Sequence, residues 1–349
     1  MVDKAALKKY MLHRGSYRKV LWKKIHWKEG SFRQDAEKRC AFLNSENLCE
    51  MYTNIGEKSL CKTCKLYPRH VEEFEGVREI SLSLSCPEVA RILLNRTEKV
   101  MFLEKETEVD EEYEDFDLFL YSVLQDVRGE LLYILQDRSL PVEIRTGLVY
   151  GIAHDVQRRV NRQELFSCGE VLEKYQKVSA REFVEKKVAE NKKDLQKMFI
   201  FARKLFRILE QLEVLKEDWS IHLFEVIRKL FRDQSTKEYF DISEGFYAWI
   251  KDSGFPWEIQ KEQLLVYFIF TYFCGAVYDG EILKKVQMAI ISVDLIEEML
   301  KVRWLRNDKM LDIEDVMDVV YRYSREVEHS DQNLKEMEEM MPREHARFS

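Results

Sequence analysis

A strong helical periodicity, in a chain that is poor in glycine and proline, restricts this sequence to few folds. Between residues 116 and 135 apolar side chains recur every three or four positions and form one stripe: Phe116, Phe119, Leu120, Val123, Leu124, Val127, Leu131, Ile134 and Leu135. The 349 residues include only 12 glycines and 5 prolines. Such a chain buries a core by packing helices, so we predict a mostly all-α fold, a helical bundle with a small loop-rich cysteine segment near the N-terminus.

Other elements are predicted from capping signals and from periodicity. Residues 85–88 (Ser-Cys-Pro-Glu) predict a capping box that starts a helix over residues 87–94. Residues 179–182 (Ser-Ala-Arg-Glu) predict a second box that opens a long helix through residue 212. Apolar stripes predict further helices near residues 217–233, 257–278, 281–304 and 311–328. Only Ile80, Leu82 and Leu84 alternate with serines, which predicts one short extended segment.

Charge divides the chain into segments. Residues 1–40 carry twelve Lys and Arg against four Asp and Glu, and residues 104–117 carry nine acids against one Lys. The acidic stretch fits a solvated loop, or a site that attracts a lysine-rich protein segment. We expect basic helices and a cysteine-rich segment over 1–100, an acidic linker over 101–117, a helical domain over 118–335 and a tail over 336–349.

Composition also limits the partners and the compartment. The net charge of the whole chain is −7, which is not the basic balance typical of a nucleic-acid-binding protein. The longest apolar run, residues 264–278, is too short to span a bilayer, and the first residues contain no apolar run of signal-peptide length. We therefore expect a cytoplasmic protein that binds neither nucleic acid nor membrane. Its oligomeric state is unknown.

Five of the seven cysteines lie within 47 residues, with the spacing Cys40-x8-Cys49-x11-Cys61-x2-Cys64-x21-Cys86. A Cys-x-x-Cys turn directs two thiolates to one side, and Cys40 and Cys49 complete a four-sulfur set. All-sulfur ligation suits zinc or an iron–sulfur cluster, and the spacing does not separate the two. Unligated structural thiols are the second interpretation. Redox catalysis is a distant third, because no βαβ pattern surrounds the pair.

The remaining cysteines have other interpretations. Cys86 precedes a helix N-terminus, which favours a thiolate. We interpret it as a fifth or substitute metal ligand, as a reactive thiol, or as a small residue in the tight first turn of the helix. Cys168 and Cys274 fall in apolar helical surroundings and are interpreted as small core residues.

Several blocks together resemble the bacterial flagellin lysine-N-methylase family. The N-terminal blocks are Cys40-Ala41-Phe42-Leu43, Leu48-Cys49, residues 60–69 (LCKTCKLYPR) and residues 81–91 (SLSLSCPEVAR). The later blocks are residues 272–280 (YFCGAVYDG) and 323–334 (YSREVEHSDQNL). The resemblance extends from about residue 40 to residue 335. The cysteine block with Tyr-Pro-Arg and the Arg-Glu-Val-Glu-His-Ser-Asp block are specific jointly.

The resemblance implies a chemistry and a cofactor. It implies methyl transfer from S-adenosylmethionine to lysine side chains of flagellin, and a cysteine-ligated four-iron four-sulfur cluster, with zinc as the alternative. It also implies a further cysteine-rich segment, with paired cysteines before a tryptophan, ahead of the point where this sequence begins. No Gly-x-Gly-x-Gly loop follows a strand and no Cys-x3-Cys-x2-Cys motif occurs, so the activity is predicted from the resemblance alone.

Lysine methylation sets requirements that direct attention to the later block. A free lysine has a pKa of about 10.4, so the site must desolvate the ammonium or provide a base. On a 311–328 helix that continues, Glu326 and His329 share a face, and Arg325 and Glu328 have the same spacing. The residues alone favour a polar helix end with local salt bridges. With the resemblance, we predict Glu326, Glu328 and His329 as catalytic residues.

Three residues are predicted to contact the donor or the cluster. Tyr67 and Arg69 directly follow the Cys-x-x-Cys pair, where they fit second-shell partners of a cluster or contacts to an anionic ligand. Arg325 is the third. A turn fixed by Pro68 is the structural alternative for the first two. The competing function is a non-catalytic helical interaction protein with a structural zinc or iron–sulfur site.

Overall fold

The computed structural model describes residues 2–35, 39–106, 116–232 and 234–348. Helices dominate, which confirms the predicted mostly all-α class. The chain forms two compact units. The N-terminal unit consists of Met1–Val71 and Ile80–Ser83, and the helical unit consists of Glu72–Glu79 and Leu84–Ser349. Among the described helices, none combines the length and the apolar character needed to cross a membrane.

The N-terminal unit contains short elements around a small core. Its elements are α1 (Lys4–Leu12), α2 (Arg18–Lys24), β1 (Ile25–His26), β2 (Ser31–Phe32), α3 (Glu50–Ile55) and α4 (Lys62–Leu66). β1 and β2 pair antiparallel, with Ile25 opposite Phe32. Strands β3 (Arg69–Phe74) and β4 (Val77–Leu82) also pair, and this hairpin contributes residues to both units.

One aspartate organises the start of two helices in the N-terminal unit. Asp3 Oδ1 accepts a hydrogen bond from the Ala6 N–H at 2.8 Å and so caps α1. Asp3 Oδ2 accepts from the N–H of Lys62, the first residue of α4, at 2.7 Å. A single carboxylate therefore fixes the Cys-x-x-Cys helix against α1.

The helical unit carries most of the protein core. Its helices are α5 (Pro87–Leu94), α6 (Leu118–Leu135), α7 (Val142–Asn161), α8 (Cys168–Tyr175), α9 (Val178–Asn191), α10 (Leu195–Leu209), α11 (Glu217–Ile227), α12 (Thr236–Ser253), α13 (Trp257–Tyr272), α14 (Ala276–Asp279), α15 (Ile282–Arg306), α16 (Ile313–Val327) and α17 (Asp331–Met340). Helix α15 packs against α7, α13 and α16 and is buried along most of its length.

Charged side chains inside this core are paired. The carboxylate of Glu297 on α15 is fully buried and accepts hydrogen bonds from Tyr247 Oη (2.5 Å), Trp257 Nε1 (2.6 Å) and Lys261 Nζ (2.8 Å). Burial of a charge costs free energy unless such partners compensate it. Lys301, one turn further along α15, is 2.8 Å from Glu298. The polar groups of α15 are therefore structural members of the core.

The structure corrects two capping predictions. The helix over residues 87–94 forms as predicted, but its N-cap is Cys86, without a side-chain cap hydrogen bond. The predicted capping box at residues 179–182 is wrong. Helix α9 begins at Val178, and its N-cap residue, Lys177, forms no side-chain cap hydrogen bond. The long helix predicted through residue 212 is two helices, since α9 ends at Asn191 and Asp194 caps the start of α10. A missed helix, α12, does have a capping box, formed by Ser235 and Glu238.

The predicted segments lie on this architecture as follows. The extended segment around residues 80–84 forms as β4, whereas β1, β2 and β3 have no clear alternation and were not predicted. Residues 107–115 of the predicted acidic linker lie outside the described residues. The predicted tail begins inside α17, and His345 within it is fully buried against Asp294, with His345 Nε2 2.9 Å from Asp294 Oδ2.

Candidate active site

Glu328, one of the predicted catalytic residues, lies at the end of α16 and joins a buried cluster with two tyrosines. Its Oε2 accepts hydrogen bonds from the hydroxyls of Tyr267 at 2.8 Å and Tyr272 at 2.7 Å. Only 8% of Glu328 is exposed. Burial first, and then the nearby Glu328 charge, raise the pKa of both tyrosines well above the ordinary value. Both hydroxyls therefore stay protonated and act as donors to the carboxylate.

The same cluster includes the segment that leads into α5. The Leu84 N–H donates a hydrogen bond to the Tyr267 hydroxyl at 3.4 Å. Helix α5 also packs against α13 and α16. Three sequence blocks that are far apart in the chain, around residues 81–91, 264–278 and 323–334, thus meet around one carboxylate. The sequence blocks alone do not predict this convergence.

The position of each tyrosine follows from where α13 ends. Tyr267 and Tyr272 are five positions apart, a spacing that does not place two side chains on one face of a regular helix. Tyr272 is the last residue of α13, and its φ of −117° departs from helical geometry. The helix end therefore lets Tyr272 reach the same oxygen as Tyr267.

Glu326 has a different role from Glu328, although both are buried. Its Oε2 accepts from the Leu215 N–H at 2.8 Å and the Lys216 N–H at 3.3 Å, just before α11 begins. Its carboxylate also lies 3.1 Å from the Arg325 guanidinium. Asn333 completes this anchor by donating to the Glu326 carbonyl at 2.7 Å. Glu326 therefore holds two parts of the chain together.

The face predicted for Glu326 and His329 does not form, because α16 ends at Val327. The N–H groups of Glu328 and His329 both donate to the Ser324 carbonyl, at 2.9 and 3.1 Å. His329 is exposed while Glu326 is buried. Arg325 lies 3.0 Å from Asp218, with its guanidinium over the Tyr321 ring. Of the predicted catalytic residues, Glu328 alone is in the tyrosine cluster.

In the N-terminal unit, four predicted ligands share one neighbourhood. The Cys64 thiol forms a hydrogen bond with Cys61 and interacts electrostatically with Cys40 and Cys49. The Cys40 thiol in turn interacts with Cys49 and Cys61. Cys61 is buried, Cys40 and Cys49 are half-buried, and Cys64 is at the surface. Isolated β-bridges, from Cys40 to Gln34 and from Cys49 to Leu43, place the first two cysteines.

Burial and the neighbouring thiols disfavour ionisation of Cys40 and Cys64, and the described residues form no complete coordination geometry. Loss of hydration, the Cys61 hydrogen bond and the neighbouring thiols raise the pKa of Cys64 to about 12. Burial raises the pKa of Cys40, and the neighbouring Cys49 adds to this effect. A bound metal offsets such repulsion between thiolates, so the donor set fits zinc or an iron–sulfur cluster. Among the described residues, no three His, Cys, Asp or Glu side chains are arranged to hold a metal ion.

The other predicted contacts lie as follows. Tyr67 is partly exposed and precedes Pro68 in a cis peptide bond. Arg69, at the start of β3, donates to the Lys65 carbonyl at 3.2 Å and so caps the end of α4. Cys86, interpreted from the sequence as a fifth or substitute ligand, is half-buried and belongs to the helical unit as the N-cap of α5.

Sequence reasoning missed the two tyrosines of the candidate site. Tyr267 and Tyr272 lie in the apolar run of residues 264–278, where aromatic side chains are usually core. Their hydroxyl groups provided the available signal, since a buried tyrosine needs a hydrogen-bond partner. The partner comes from a block that begins about 50 residues later, which a local pattern does not show.

Known proteins resemble part of this chain. The lysine-N-methylases of Salmonella typhimurium and Salmonella choleraesuis are each 31% identical over 113 residues, which cover 30% of this chain and 28% of those proteins. The flagellar biosynthetic protein FliU of Salmonella muenchen is 30% identical over 115 residues, which cover 30% of this chain and 68% of FliU. The matched part thus spans under a third of the two lysine-N-methylases. No solved structure matches.

A family comparison covers a longer part of the chain. The family described as FliB lysine N-methylase C-terminal domain matches residues 128–347, more than half of the sequence. The matched range contains Tyr267, Tyr272 and Glu328, together with the whole of α15. The chain therefore belongs to the FliB lysine N-methylase family.

Proposed function

We propose that this protein is a lysine N-methyltransferase that transfers a methyl group from S-adenosylmethionine to lysine side chains of flagellin. Family membership supports lysine methylation, and the flagellar name of the FliU relative supports a flagellar substrate. The structural observation that carries the proposal is the buried carboxylate of Glu328, with two tyrosine hydroxyls on its Oε2. Such a cluster suits a lysine ammonium, because it combines a proton acceptor with neutral polar groups in a largely desolvated place.

In the proposed reaction Glu328 accepts a proton from the substrate ammonium. The neutral amine then attacks the sulfonium methyl group in line, a C–N bond forms, and the C–S bond breaks. The bonding electrons go to sulfur, so S-adenosylhomocysteine leaves as a neutral thioether. The product is a methylated ammonium. The proton on Glu328 is released to solvent before the next turnover.

We also propose that Cys40, Cys49, Cys61 and Cys64 hold a four-iron four-sulfur cluster, with zinc as the alternative. The support is the shared neighbourhood of the four thiols. When bound, the cluster supplies a cross-link for a loop-rich segment with a small apolar core.

The activity is tested with methyl-labelled S-adenosylmethionine, purified flagellin and metal-replete protein prepared without oxygen. We expect label on flagellin lysines, located by mass spectrometry of peptides. An active full-length lysine-N-methylase run in parallel controls for the quality of the flagellin. If flagellin stays unlabelled by this protein while the relative labels it, the enzyme proposal fails and the non-catalytic interaction protein becomes the better hypothesis.

A further inference from the structure

The environment of Glu328 is unusual for an ionised carboxylate. Glu328 is the C-cap of the 15-residue helix α16, and the negative end of a helix dipole disfavours an acidic side chain there. It is also 92% buried, which disfavours charge further. A carboxylate in this place needs hydrogen-bond donors if it is to stay ionised and accept a proton at neutral pH.

The donors come from α13, and their direction is fixed. The Tyr267 oxygen accepts a hydrogen bond from the Leu84 N–H, so its own proton is directed away from Leu84 and toward Glu328 Oε2. The Tyr272 hydroxyl lies 2.7 Å from the same oxygen and donates its own proton there. The hydrogen bonds of the chain from Leu84 through Tyr267 to Glu328 strengthen one another.

Several groups face Glu328 from the elements that pack around it. Tyr267 and Tyr272 face it from α13, and Tyr323 on its own helix lies near enough to interact electrostatically. The segment before α5 contributes the Leu84 N–H through Tyr267. The Tyr323 hydroxyl differs from the other two, because it donates to Ser292 Oγ at 2.9 Å on the opposite side, toward α15.

We propose that Tyr267 and Tyr272 are positioning residues, which hold the Glu328 carboxylate in one orientation and keep it ionised as the proton acceptor. This inference rests on the proposed function, since it assigns the tyrosines a task in deprotonating the substrate amine. The tyrosines act through Glu328, and the Leu84 N–H sets the direction of the Tyr267 donor. A merely apolar role in the core needs only the rings, whereas this role needs the hydroxyl oxygens.

The test removes one oxygen at a time. Loss of a donor disfavours the charged carboxylate, so the pKa of Glu328 rises in Tyr267→Phe and in Tyr272→Phe. Because the base works only when ionised, we expect the acid limb of the pH–kcat profile to move to higher pH by about one unit per hydroxyl. On that acid limb we also expect kcat at a given pH to fall by up to about tenfold, because a shift of one unit lowers the ionised fraction of Glu328 by that factor, with KM changed little.

Tyr323→Phe is the matched control. It removes the hydroxyl of another buried tyrosine in the helical unit, one that donates its hydrogen bond to Ser292 and not to Glu328. Its acid limb should coincide with that of the wild type. The inference is overturned if Tyr267→Phe and Tyr272→Phe also coincide with the wild type, or move only as far as Tyr323→Phe. Tyr272 is at a helix end and half-buried, so Tyr272→Phe keeps the test decisive if Tyr267→Phe does not fold.

A second readout separates this inference from the proposed function. Carbon-13 labelling of glutamate side chains lets the ionisation of Glu328 be followed by NMR, with the signal assigned by its loss in Glu328→Gln. We expect the pKa of Glu328 to be about one unit higher in each tyrosine variant than in the wild type. An upward shift without flagellin methylation sinks the methyltransferase and keeps the ionising role of the tyrosines. Methylation with an unchanged Glu328 titration sinks the positioning role and keeps the enzyme.

Discussion

The helical unit contains a carboxylate cluster around Glu328, and the N-terminal unit contains a group of four cysteines. The two regions differ in whether packing of the protein alone fixes the positions of their polar side chains. Around Glu328, packed helices supply both donors at hydrogen-bond distance. The four thiols come near one another, yet among the described residues no metal-holding arrangement is complete. The core beneath the thiols has only eight buried apolar residues among those described: Val2, Ala6, Tyr10, Leu21, Ile25, Phe42, Met51 and Cys61. Side-chain packing organises the first region. For the second region we propose that a bound metal adds the order that so small a core does not provide.

The largest effect that this comparison predicts is loss of order in the N-terminal unit when the proposed metal is removed. Structural metal binding contributes on the order of 10 kcal/mol in small domains, more than a core of this size provides. We expect chelation of the purified protein to abolish amide hydrogen-exchange protection across residues 2–71 and to spare α15. The spectrum of the anaerobic protein, with iron, sulfide and zinc analyses, first identifies the metal.

A matched pair of variants controls this experiment. Cys61→Ser removes a thiol of the proposed set, whereas Cys168→Ser removes a buried cysteine of the helical unit. The metal content should fall in Cys61→Ser and be unchanged in Cys168→Ser. Equal metal content in both variants, or full exchange protection of residues 2–71 after chelation, contradicts the proposed difference between the regions.

The second prediction concerns the proton acceptor. Glu328→Gln keeps the shape of the side chain and removes its capacity to accept a proton. We expect kcat to fall about 10²- to 10⁴-fold, the usual contribution of a general base. The measurement is methyl incorporation into flagellin at saturating donor.

Two further variants sharpen that result. Glu314→Gln makes the same change at the exposed start of the same helix and should keep activity. His329→Ala tests the exposed neighbour that the sequence also predicts as catalytic. If Glu328→Gln and His329→Ala both keep full activity, the assignment of the site to this end of α16 is wrong.

The third prediction separates the two buried glutamates of this helix end. Glu326→Gln weakens charge-assisted hydrogen bonds to two backbone N–H groups before α11 and to Arg325. We expect the free energy of unfolding to fall by about 2 kcal/mol. Activity per folded molecule should be retained, as measured by urea unfolding alongside the methylation assay. An active-site role for Glu326 is supported instead if stability is unchanged while kcat collapses.

Much of the helical unit could be predicted from the sequence, because its signals are local. The stripe at residues 116–135 and the start at Pro87 depend on neighbours within a few positions, and α6 and α5 form there. The break between α9 and α10 was not predicted, because Asp194 caps a new helix inside a pattern that reads as continuous. The partners of Glu328 were out of reach for another reason: 61 and 56 residues separate it from its two donors.

The last prediction tests whether the stability of the helical unit depends on a buried titratable group of its own. Burial first, and then Arg303 and Arg322, lower the pKa of His222 to about 4. In the unfolded chain a histidine has a pKa of about 6.5, so the unfolded state takes up the proton first as the pH falls. The stabilising contribution of neutral His222 is therefore complete above pH 6.5 and is lost between about pH 6.5 and 4.

His222→Gln removes this titration and leaves the other acid-sensitive groups in place. We expect the unfolding free energy of the wild type to fall about 2 kcal/mol more than that of His222→Gln between pH 7 and pH 4.5. Urea unfolding of both proteins, with metal retained, measures the difference. Parallel pH dependences mean that His222 is hydrated in solution. Acid also protonates the proposed cysteine ligands, but this effect is common to both proteins and cancels in the difference between them, so the difference reports His222.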